Sequence, residues 1–308
     1  MRYACAAFLM ERPTMDILSQ FSAALADRVA GAAASVVALR LDERPRAGIL
    51  WRPDVVVASE QTVGQCDSVC VVQDGVEVGA KLAGRDPGTN VAVFRLETPL
   101  SGVLPPPAEA PRVGSLAAIL GADDRGAATG RLAIVHAVGP EWHAMAGGRI
   151  DTLIRLDARL GADEGGPVLD AAGGLLGMSA SGPHRRVLVI PTATIARVVD
   201  PILEHGRVAR GWLGVGLEPV ALSEKSVPAA GQRRGAMVLN VASGAPADAA
   251  GVLAGDILLE MDGRKFGHRR PLSLFMGPER IGQTVTLRLL RAGEPRTIAL
   301  TIAARPGG

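Results

Sequence analysis

Residues 156–169 read Leu-Asp-Ala-Arg-Leu-Gly-Ala-Asp-Glu-Gly-Gly-Pro-Val-Leu and are the most informative stretch of the chain. Gly-Gly-Pro at 165–167 is followed by an apolar pair, by a small-residue turn at 171–174 and by the run Leu-Leu-Gly-Met at 175–178. Glycine and proline clusters of this kind mark turns between short apolar segments. The stretch therefore predicts a loop that presents Glu164 ahead of two apolar runs.

This pattern resembles the Gly-x-Ser-Gly-Gly-Pro segment of the trypsin-like serine proteases, with Glu164 standing in the place of the serine. A carboxylate has no proton to pass to a histidine, and its negative charge would lie where the oxyanion has to form. The loop therefore predicts a protease fold whose reaction centre has been changed.

The positions of the family's histidine and aspartate also carry other residues here. The third apolar strand leads into Gln61, which stands in the histidine's place, while a register shifted by one residue puts Glu60 there. Residues 84–96 resemble the segment that supplies the aspartate in the HtrA branch of these proteases, and Asn90 takes its place. In a working triad this exchange favours the wrong imidazole tautomer and lowers turnover by about 10⁴. The first histidine of the chain is His136, so neither register restores one.

A replacement for the missing groups would have to be another serine, a cysteine or a carboxylate. No serine or cysteine occurs between Ser115 and Ser179, which leaves the loop without another nucleophile. Ser179 and Ser181 are expected to be polar residues on a half-exposed strand. Glu60 and Glu164 would form a carboxylate pair capable of acid–base chemistry if they met across the cleft. A solvent-exposed pair, or a Glu164 side chain held by backbone N–H groups of its own loop, is the alternative.

These exchanges predict that the protein has no catalytic residues and is not an enzyme. Losing the nucleophile or the histidine alone removes roughly 10⁶ in turnover in a well-characterised protease, and here three positions differ. We therefore expect a pseudoprotease. An active serine-type or carboxylate-dependent hydrolase with a nonstandard residue set is the alternative hypothesis.

The composition is that of a β-rich soluble protein with room for two domains. The 308 residues are 48% hydrophobic and include 38 glycines and 21 prolines, which favours short strands and many turns. A formal net charge of +2 gives no reason to expect nucleic acid or an acidic membrane surface as a partner. No stretch approaches the length of a membrane span. The apolar run 3–10 is short for a signal peptide, so a cytoplasmic location is expected, with the periplasm as the alternative.

No residue pattern indicates a metal or a cofactor, and none is expected. Cys66 and Cys70 have no second ligand pair nearby and, together with Cys5, are odd in number. They are expected to be small, partly buried residues, although a disulfide between Cys66 and Cys70 remains open. The histidines show no ligand spacing and are expected in surface or capping roles: His136, His143, His184, His205 and His268.

Periodicity predicts two helices among the strands. Apolar residues recur every four positions from Ile17 to Val29, which predicts an amphipathic helix with Thr14 as its N-cap, packed on a barrel or on a neighbouring subunit. A second helix is expected to run from Thr192, its N-cap, to Gly206. The predicted strands are 34–41, 47–50, 55–58, a hairpin of 69–72 with 76–78, then 116–120, 132–138 and 187–191.

Residues 211–308 resemble a PDZ domain in several separated motifs that keep one order. The matching segments are Gly-Trp-Leu-Gly-Val at 211–215, then 235–241, 243–247, 251–263 and a closing hairpin within 285–302. The resemblance implies that the loop of Trp212, Leu213, Gly214 and Val215 holds a peptide C-terminus with its backbone N–H groups. An exposed strand edge would then pair with the peptide backbone.

Two basic segments flank this predicted loop. Arg207 and Arg210 precede it and would add positive charge to a bound C-terminus, or are simply linker residues. The segment that begins with His268, Arg269 and Arg270 and ends at Met276 is expected to form the side of the groove that selects the peptide. A solvated basic turn is the alternative.

Together the resemblances imply a mainly β fold, a trypsin-like double β-barrel followed by a PDZ domain. We expect an N-terminal helical segment at 1–30, a protease-like domain at 31–206, a linker at 207–210 and the PDZ domain at 211–308. On this interpretation the protein binds peptides or protein C-termini through its PDZ domain and acts as an adaptor, scaffold or regulator. A homo-oligomer or a hetero-complex with an enzyme is a further expected assembly, while no nucleic acid and no membrane span are expected.

Overall fold

The computed structural model describes residues 16–41, 45–144, 146–161, 163–182, 186–266 and 272–306. Within them the chain forms two closed six-stranded barrels followed by a separate antiparallel sheet. The expected fold class, a mainly β trypsin-like double barrel with a PDZ domain, is confirmed. The bounds given above for the four segments of the chain remain predictions.

The first barrel consists of β1 (Val36–Arg40), β2 (Pro45–Arg52), β3 (Val55–Ser59), β4 (Ser68–Gln73), β5 (Val76–Asp86) and β6 (Val91–Leu96). It closes in the order β1-β2-β3-β6-β5-β4. The predicted hairpin is formed by β4 and β5, with Gln73 opposite Val76. Asp74 and Gly75 join them at φ values of 46° and 82°, because a two-residue hairpin loop matches the twist of its strands when both residues are left-handed.

The second barrel begins with β7 (Leu116–Ala122) and β8 (Ala128–Gly139), which lead into a small separate hairpin of β9 (Trp142–His143) and β10 (Arg149–Ile150). It continues with β11 (Leu153–Arg159), β12 (Pro167–Asp170), β13 (Leu175–Ser181) and β14 (Arg186–Pro191). The barrel closes in the order β11-β14-β13-β12-β7-β8. The loop that carries Glu164 therefore connects β11 to β12.

Helix α1 (Ile17–Ala32) packs on the barrels only through its C-terminal half. Leu25 and Val29 lie against a buried cluster drawn from both barrels, whereas Ile17 is 82% exposed. The predicted packing on a barrel therefore holds for the C-terminal turns of the stripe, while packing of its first turn on a neighbouring subunit stays a prediction. Asp16 caps the helix by accepting a hydrogen bond from the Ser19 N–H at 2.9 Å, and the predicted cap, Thr14, lies outside the described residues.

Helix α3 (Thr192–His205) seals the junction between the two barrels. Its apolar stripe packs with the strands of both barrels in one cluster and consists of Ile195, Val198, Val199 and Ile202. The predicted N-cap is wrong by one residue, because Pro191 holds that position and the Thr192 hydroxyl donates to the Leu175 carbonyl instead. The helix ends as predicted at Gly206, whose φ of 73° closes the last turn.

The C-terminal sheet is built from β15 (Gly211–Trp212), β16 (Val215–Ala221), β17 (Arg234–Val241), β18 (Ile257–Met261), β19 (Arg264–Lys265), β20 (Thr284–Arg291), β21 (Glu294–Thr301) and β22 (Ala303–Ala304). Its main path runs β16-β17-β18-β20-β21, while β15 pairs with β22. Two short helices, α4 (Val227–Ala230) and α5 (Pro246–Ala249), accompany it. Strand β16 lies at the edge of this sheet and pairs with β17.

The segment predicted to flank the groove is only partly described. Leu272–Phe275 forms one turn of 3₁₀ helix, and Met276 after it is buried. His268, Arg269 and Arg270 lie outside the described residues. No helix in the described part of the chain is both long and apolar enough to cross a membrane.

Candidate inter-barrel cleft and peptide-binding groove

Gln61 lies in the short helix α2 (Glu60–Val63), which directly follows strand β3 at the rim of the first barrel. Its backbone N–H donates to Asn90 Oδ1 at 2.8 Å. Its side-chain amide donates to Glu164 Oε1 and, at 3.3 Å, to the Ser181 carbonyl. Gln61, rather than Glu60, therefore reaches across the cleft to Glu164. Glu60 and Glu164 do not form the hydrogen-bonded carboxylate pair that was considered above.

Asn90 is the turn residue directly before strand β6 and has a φ of 59°, a left-handed conformation that asparagine tolerates better than most residues. Its Oδ1 accepts from the backbone of Gln61 and lies 3.2 Å from the Ser59 hydroxyl, while its Nδ2 lies 3.1 Å from the same hydroxyl. Asn90 thus holds the first turn of α2 in place and contacts the Gln61 backbone rather than its side chain.

Glu164 is held by the second barrel and by Gln61. Its Oε1 accepts from the backbone N–H of Ser181 at 3.0 Å, and its Oε2 accepts from the Ser181 hydroxyl at 2.8 Å. The expectation that backbone N–H groups of its own loop hold this carboxylate is wrong, because the donors come from the end of β13. Gln61 and Ser181 are 103 and 17 residues from Glu164 in sequence, so the barrel fold brings them together.

The loop around Glu164 is pinned to β13. Gly165 N–H donates to the Ser179 carbonyl and Ser179 N–H donates to the Gly166 carbonyl, both at 2.9 Å. Ser179 is fully buried, and its hydroxyl donates to the Asp163 carbonyl at 2.8 Å. The expected half-exposed position of Ser179 is therefore wrong, because its hydroxyl is used to anchor the loop from inside the barrel.

Asp163 is a second carboxylate in this loop but belongs to a different set of contacts. Its Oδ1 accepts from the Gly161 N–H at 2.9 Å, and its Oδ2 lies 3.3 Å from Arg131 Nε. The Arg131 guanidinium compensates the Asp163 charge. Asp163 and Glu164 thus have different partners, and it is the Glu164 carboxylate that contacts Gln61 and Ser181.

The chemistry available in the cleft is that of a hydroxyl beside a carboxylate. The histidines in the described ranges lie elsewhere: His136 contacts Arg186, His143 belongs to β9, and His205 is next to Glu204. His184 and His268 lie outside those ranges. At 2.8 Å from Glu164, the Ser181 hydroxyl is within the distance at which a general base accepts a proton.

The structure tests the expectation for the cysteines, while the expectation of no metal stays a prediction. Cys66 and Cys70 are free thiols, so the disulfide that was left open is not formed, and Cys5 lies outside the described residues. Within the described ranges no group of three or more potential ligands gathers in the way a metal ion requires.

The predicted carboxylate loop lies at one end of the edge strand β16. It lines a cavity of about 240 Å³ whose remaining walls come from the 3₁₀ turn, from the linker, from the chain end and from the loop after β9: Ala146, Arg210, Gly211, Leu272, Met276 and Arg305. Ala242 N–H donates to the Gly214 carbonyl and Ala247 N–H to the Leu213 carbonyl. The backbone N–H groups of Leu213 and Gly214 have no acceptor among the described residues, so the loop offers two free donors.

Gly214 has a φ of 81°, and a Cβ there would lie 2.1 Å from the Ala245 side chain. A glycine is required for the loop to turn at this point and pass so close to α5. The two free N–H groups therefore depend on this residue for their position.

Of the two basic residues ahead of the loop, Arg210 has its own partners. Its Nη2 lies 2.6 Å from Asp86 Oδ1 and its Nη1 lies 2.9 Å from the Gly147 carbonyl. Asp86 is buried and also accepts from the Thr89 hydroxyl at 2.8 Å. No local sequence pattern indicates this ion pair, because its members are 124 residues apart. Arg207 is exposed and does not line the cavity.

The fold and the two sites define a trypsin-like peptidase domain joined to a peptide-binding module. The trypsin-like peptidase domain family matches residues 46–178, and the PDZ domain family matches residues 211–302. Residues 46–178 therefore belong to the trypsin-like peptidase domain family and residues 211–302 to the PDZ domain family, the pair of domains that the resemblance to HtrA-like proteases implied.

Named relatives agree with this assignment. The probable periplasmic serine endoprotease DegP-like of Brucella suis biovar 1 (strain 1330) is 30% identical over 82% of this chain and 50% of its own length. Its counterpart from Bartonella henselae is 31% identical over 82% of this chain and 51% of its own length. The solved structure of the HtrA-type protease AlgW with tripeptide is 25% identical, covers 92% of this chain and 98% of that one, and has a TM-score of 0.65. The chain spans about half the length of the two DegP-like relatives.

These comparisons overturn two predictions. The prediction that the protein is not an enzyme is contradicted, because the relatives are named as serine endoproteases. It depended on residue types at three positions and on the expectation that Ser179 and Ser181 are only polar residues of a strand. In the structure the Ser181 hydroxyl donates to Glu164 Oε2 at 2.8 Å. The prediction of a cytoplasmic location is contradicted because the same relatives are named as periplasmic. It rested on the apolar run 3–10, which is outside the described residues.

Proposed function

We propose that the protein recognises polypeptides with a free carboxyl terminus at the loop of residues 212–215. The observation that carries this proposal is the pair of unpartnered backbone N–H groups at Leu213 and Gly214, in a loop that lines a cavity of about 240 Å³. Convergent backbone N–H groups are a common way to hold a carboxylate without a charged side chain. Leu272 and Met276 provide apolar walls for the last side chain of the peptide.

The rest of the peptide would add to the sheet along β16. This strand pairs with β17 on one side and lies at the end of the main sheet path. Pro219 within it is compatible with an edge position, because proline has no N–H to donate to a ladder. Binding by strand addition gives affinity through the backbone and leaves selection to the pockets at the side chains.

Peptide titration of the full chain tests this proposal. Pentapeptides ending in an apolar residue are expected to bind as free acids and to bind at least about tenfold more weakly when the terminal carboxyl is amidated, because hydrogen bonds to a charged group contribute roughly 1.5–3 kcal/mol. Fluorescence anisotropy of labelled peptides measures both affinities. Equal binding of the acid and the amide would contradict recognition of the carboxylate, and binding of neither would contradict the proposed function as a whole.

Hydrolysis of the bound polypeptide is a second candidate function, and one specific contact supports it beside the names of the relatives. The Ser181 hydroxyl donates to Glu164 Oε2 at 2.8 Å at the end of β13. In this proposal Ser181 Oγ attacks a peptide carbonyl while its proton passes to the Glu164 carboxylate, and the C–N bond then breaks as the amine leaves with that proton. A water molecule that gives its proton to Glu164 then attacks the Ser181 ester, which releases the acid product and restores the hydroxyl. Gln61 would keep the Glu164 carboxylate oriented towards Ser181.

We expect Ser181→Ala and Glu164→Gln each to lower turnover of casein or of a quenched peptide by about 10³ or more, as removal of a nucleophile or its base does in other hydrolases. Ser101→Ala removes an exposed hydroxyl from a loop between the barrels and is expected to leave turnover unchanged. A parent protein that turns over no substrate above buffer would contradict hydrolysis. Activity that survives in Ser181→Ala would contradict Ser181 as the nucleophile.

A further inference from the structure

Arg305 lies beside the carboxylate loop although it comes 90 residues or more after it in the chain. It follows β22, which pairs with β15 so that Trp212 faces Ala303. Its backbone N–H donates to the Arg210 carbonyl at 2.8 Å. These contacts fix the chain end along the entrance of the loop, and the Arg305 side chain lines the same cavity as Leu213 and Gly214.

The charges around this cavity are one-sided. The lining residues include two arginines, Arg210 and Arg305, and no aspartate or glutamate. Arg210 is neutralised by the buried Asp86 at 2.6 Å. The Arg305 guanidinium has no carboxylate or carbonyl partner in the described part of the chain. Arg305 is therefore the positive charge at this cavity that remains available to a ligand.

We propose that Arg305 pairs with the terminal carboxylate of the bound peptide and makes the site selective for a free C-terminus. This inference rests on the proposed function, because it concerns the same ligand. Arg305 lines the same cavity as Leu213 and Gly214, and its long side chain has no partner that holds it elsewhere among the described residues. The two loop N–H groups fix the direction of the carboxylate. The guanidinium adds an ion pair with the carboxylate, which a neutral amidated terminus cannot form.

The size of the effect follows from the exposure of Arg305. Exposed ion pairs typically change an equilibrium by up to about fivefold, and a bound peptide excludes part of the water around this one. We therefore expect Arg305→Gln to weaken binding of a free-acid peptide by about threefold to tenfold, while Arg305→Lys keeps most of the affinity. The loss should shrink when salt is raised from about 0.05 M to about 0.5 M, since salt screens charges near the surface.

The test compares free-acid and amidated forms of one pentapeptide on the parent protein, on Arg305→Gln and on Arg296→Gln. Arg296 lies on β21, the edge strand opposite β16, and has a weak exposed contact with Glu294 at 3.7 Å. Its substitution removes the same charge at a distance from the groove. The expected result is a threefold to tenfold loss with Arg305→Gln for the acid, little loss for the amide, and no loss with Arg296→Gln.

Two results would overturn the inference while leaving the proposed function intact. In the first, Arg305→Gln binds the free acid as tightly as Arg296→Gln does. In the second, it weakens the acid and the amide equally, which would assign Arg305 a packing role rather than a charge role. If the parent protein binds neither peptide, the proposed function itself fails, and that outcome is recognised before the variants are compared.

Discussion

Gly214→Ala is expected to lower peptide affinity by at least about tenfold, because displacing one hydrogen bond to a charged group costs roughly 1.5–3 kcal/mol. The new Cβ would lie 2.1 Å from the Ala245 side chain and 3.1 Å from the Trp212 ring. Ala245 is fully buried, so the loop has to move instead. A shift of the loop displaces the N–H groups of Leu213 and Gly214 together.

The same substitution is expected to lower the free energy of unfolding by about 3 kcal/mol, since a left-handed alanine costs about 1–2 kcal/mol and overpacking adds a further 1–3. Gly244→Ala is the matched control. Gly244 has a φ of 72° but has open space where a Cβ would be. The Gly244→Ala variant therefore has the cost of a left-handed alanine but no steric clash. Thermal unfolding and peptide titration of both variants separate the two effects. If both variants lose affinity equally, the steric argument at position 214 is wrong.

Asp256→Ala is expected to destabilise the C-terminal domain by about 3 kcal/mol, the cost of removing one member of a buried ion pair. Asp256 is 1% exposed, and both of its oxygens accept from Arg291, at 2.8 Å from Nε and 2.7 Å from Nη2. The Leu253 N–H donates to Oδ2 at 2.9 Å. The substitution leaves the Arg291 charge and the Leu253 donor without their acceptor in a largely enclosed position.

A pair of exposed residues serves as the control for this substitution. Glu224 and Arg233 form an ion pair on the same domain with side chains that are 76% and 71% exposed. Glu224→Ala is expected to change the free energy of unfolding by less than about 0.5 kcal/mol. Chemical denaturation measures both variants. A similar loss in the two would show that burial of Asp256 contributes nothing.

The pH dependence of the Asp256 effect has a defined sign. Burial alone raises the pKa of Asp256, but the hydrogen bonds from Arg291 and from the Leu253 N–H outweigh it, so the net pKa lies below its ordinary value of 3.8. The stabilisation is therefore fully present above the ordinary value and is lost as the pH falls through the lower, folded-state pKa. The difference in unfolding free energy between the parent and Asp256→Ala should be constant above about pH 5 and should shrink below it. A difference that grows on acidification would contradict this sign.

The two barrels and the PDZ domain were predicted from the resemblance to a known family, and individual strands and turns were predicted from the residues, because both kinds of signal lie in short segments of the chain. Short valine-rich strands separated by glycine and proline turns have a characteristic period, and the hairpin at Asp74 and Gly75 depends on its own two residues. The same resemblance located Gln61, Asn90 and Glu164, since each stands at a fixed place in a short motif of the family.

The partners of these residues were decided by the tertiary structure. Glu164 contacts Gln61, 103 residues away, and the hydroxyl of Ser181. Arg210 is neutralised by Asp86, 124 residues away. No local pattern predicts such pairs, because they depend on how strands distant in sequence close into barrels. Residue types and turns are properties of short segments of the chain, whereas the contacts of a charged or nucleophilic side chain depend on which distant segments the packed core brings beside it.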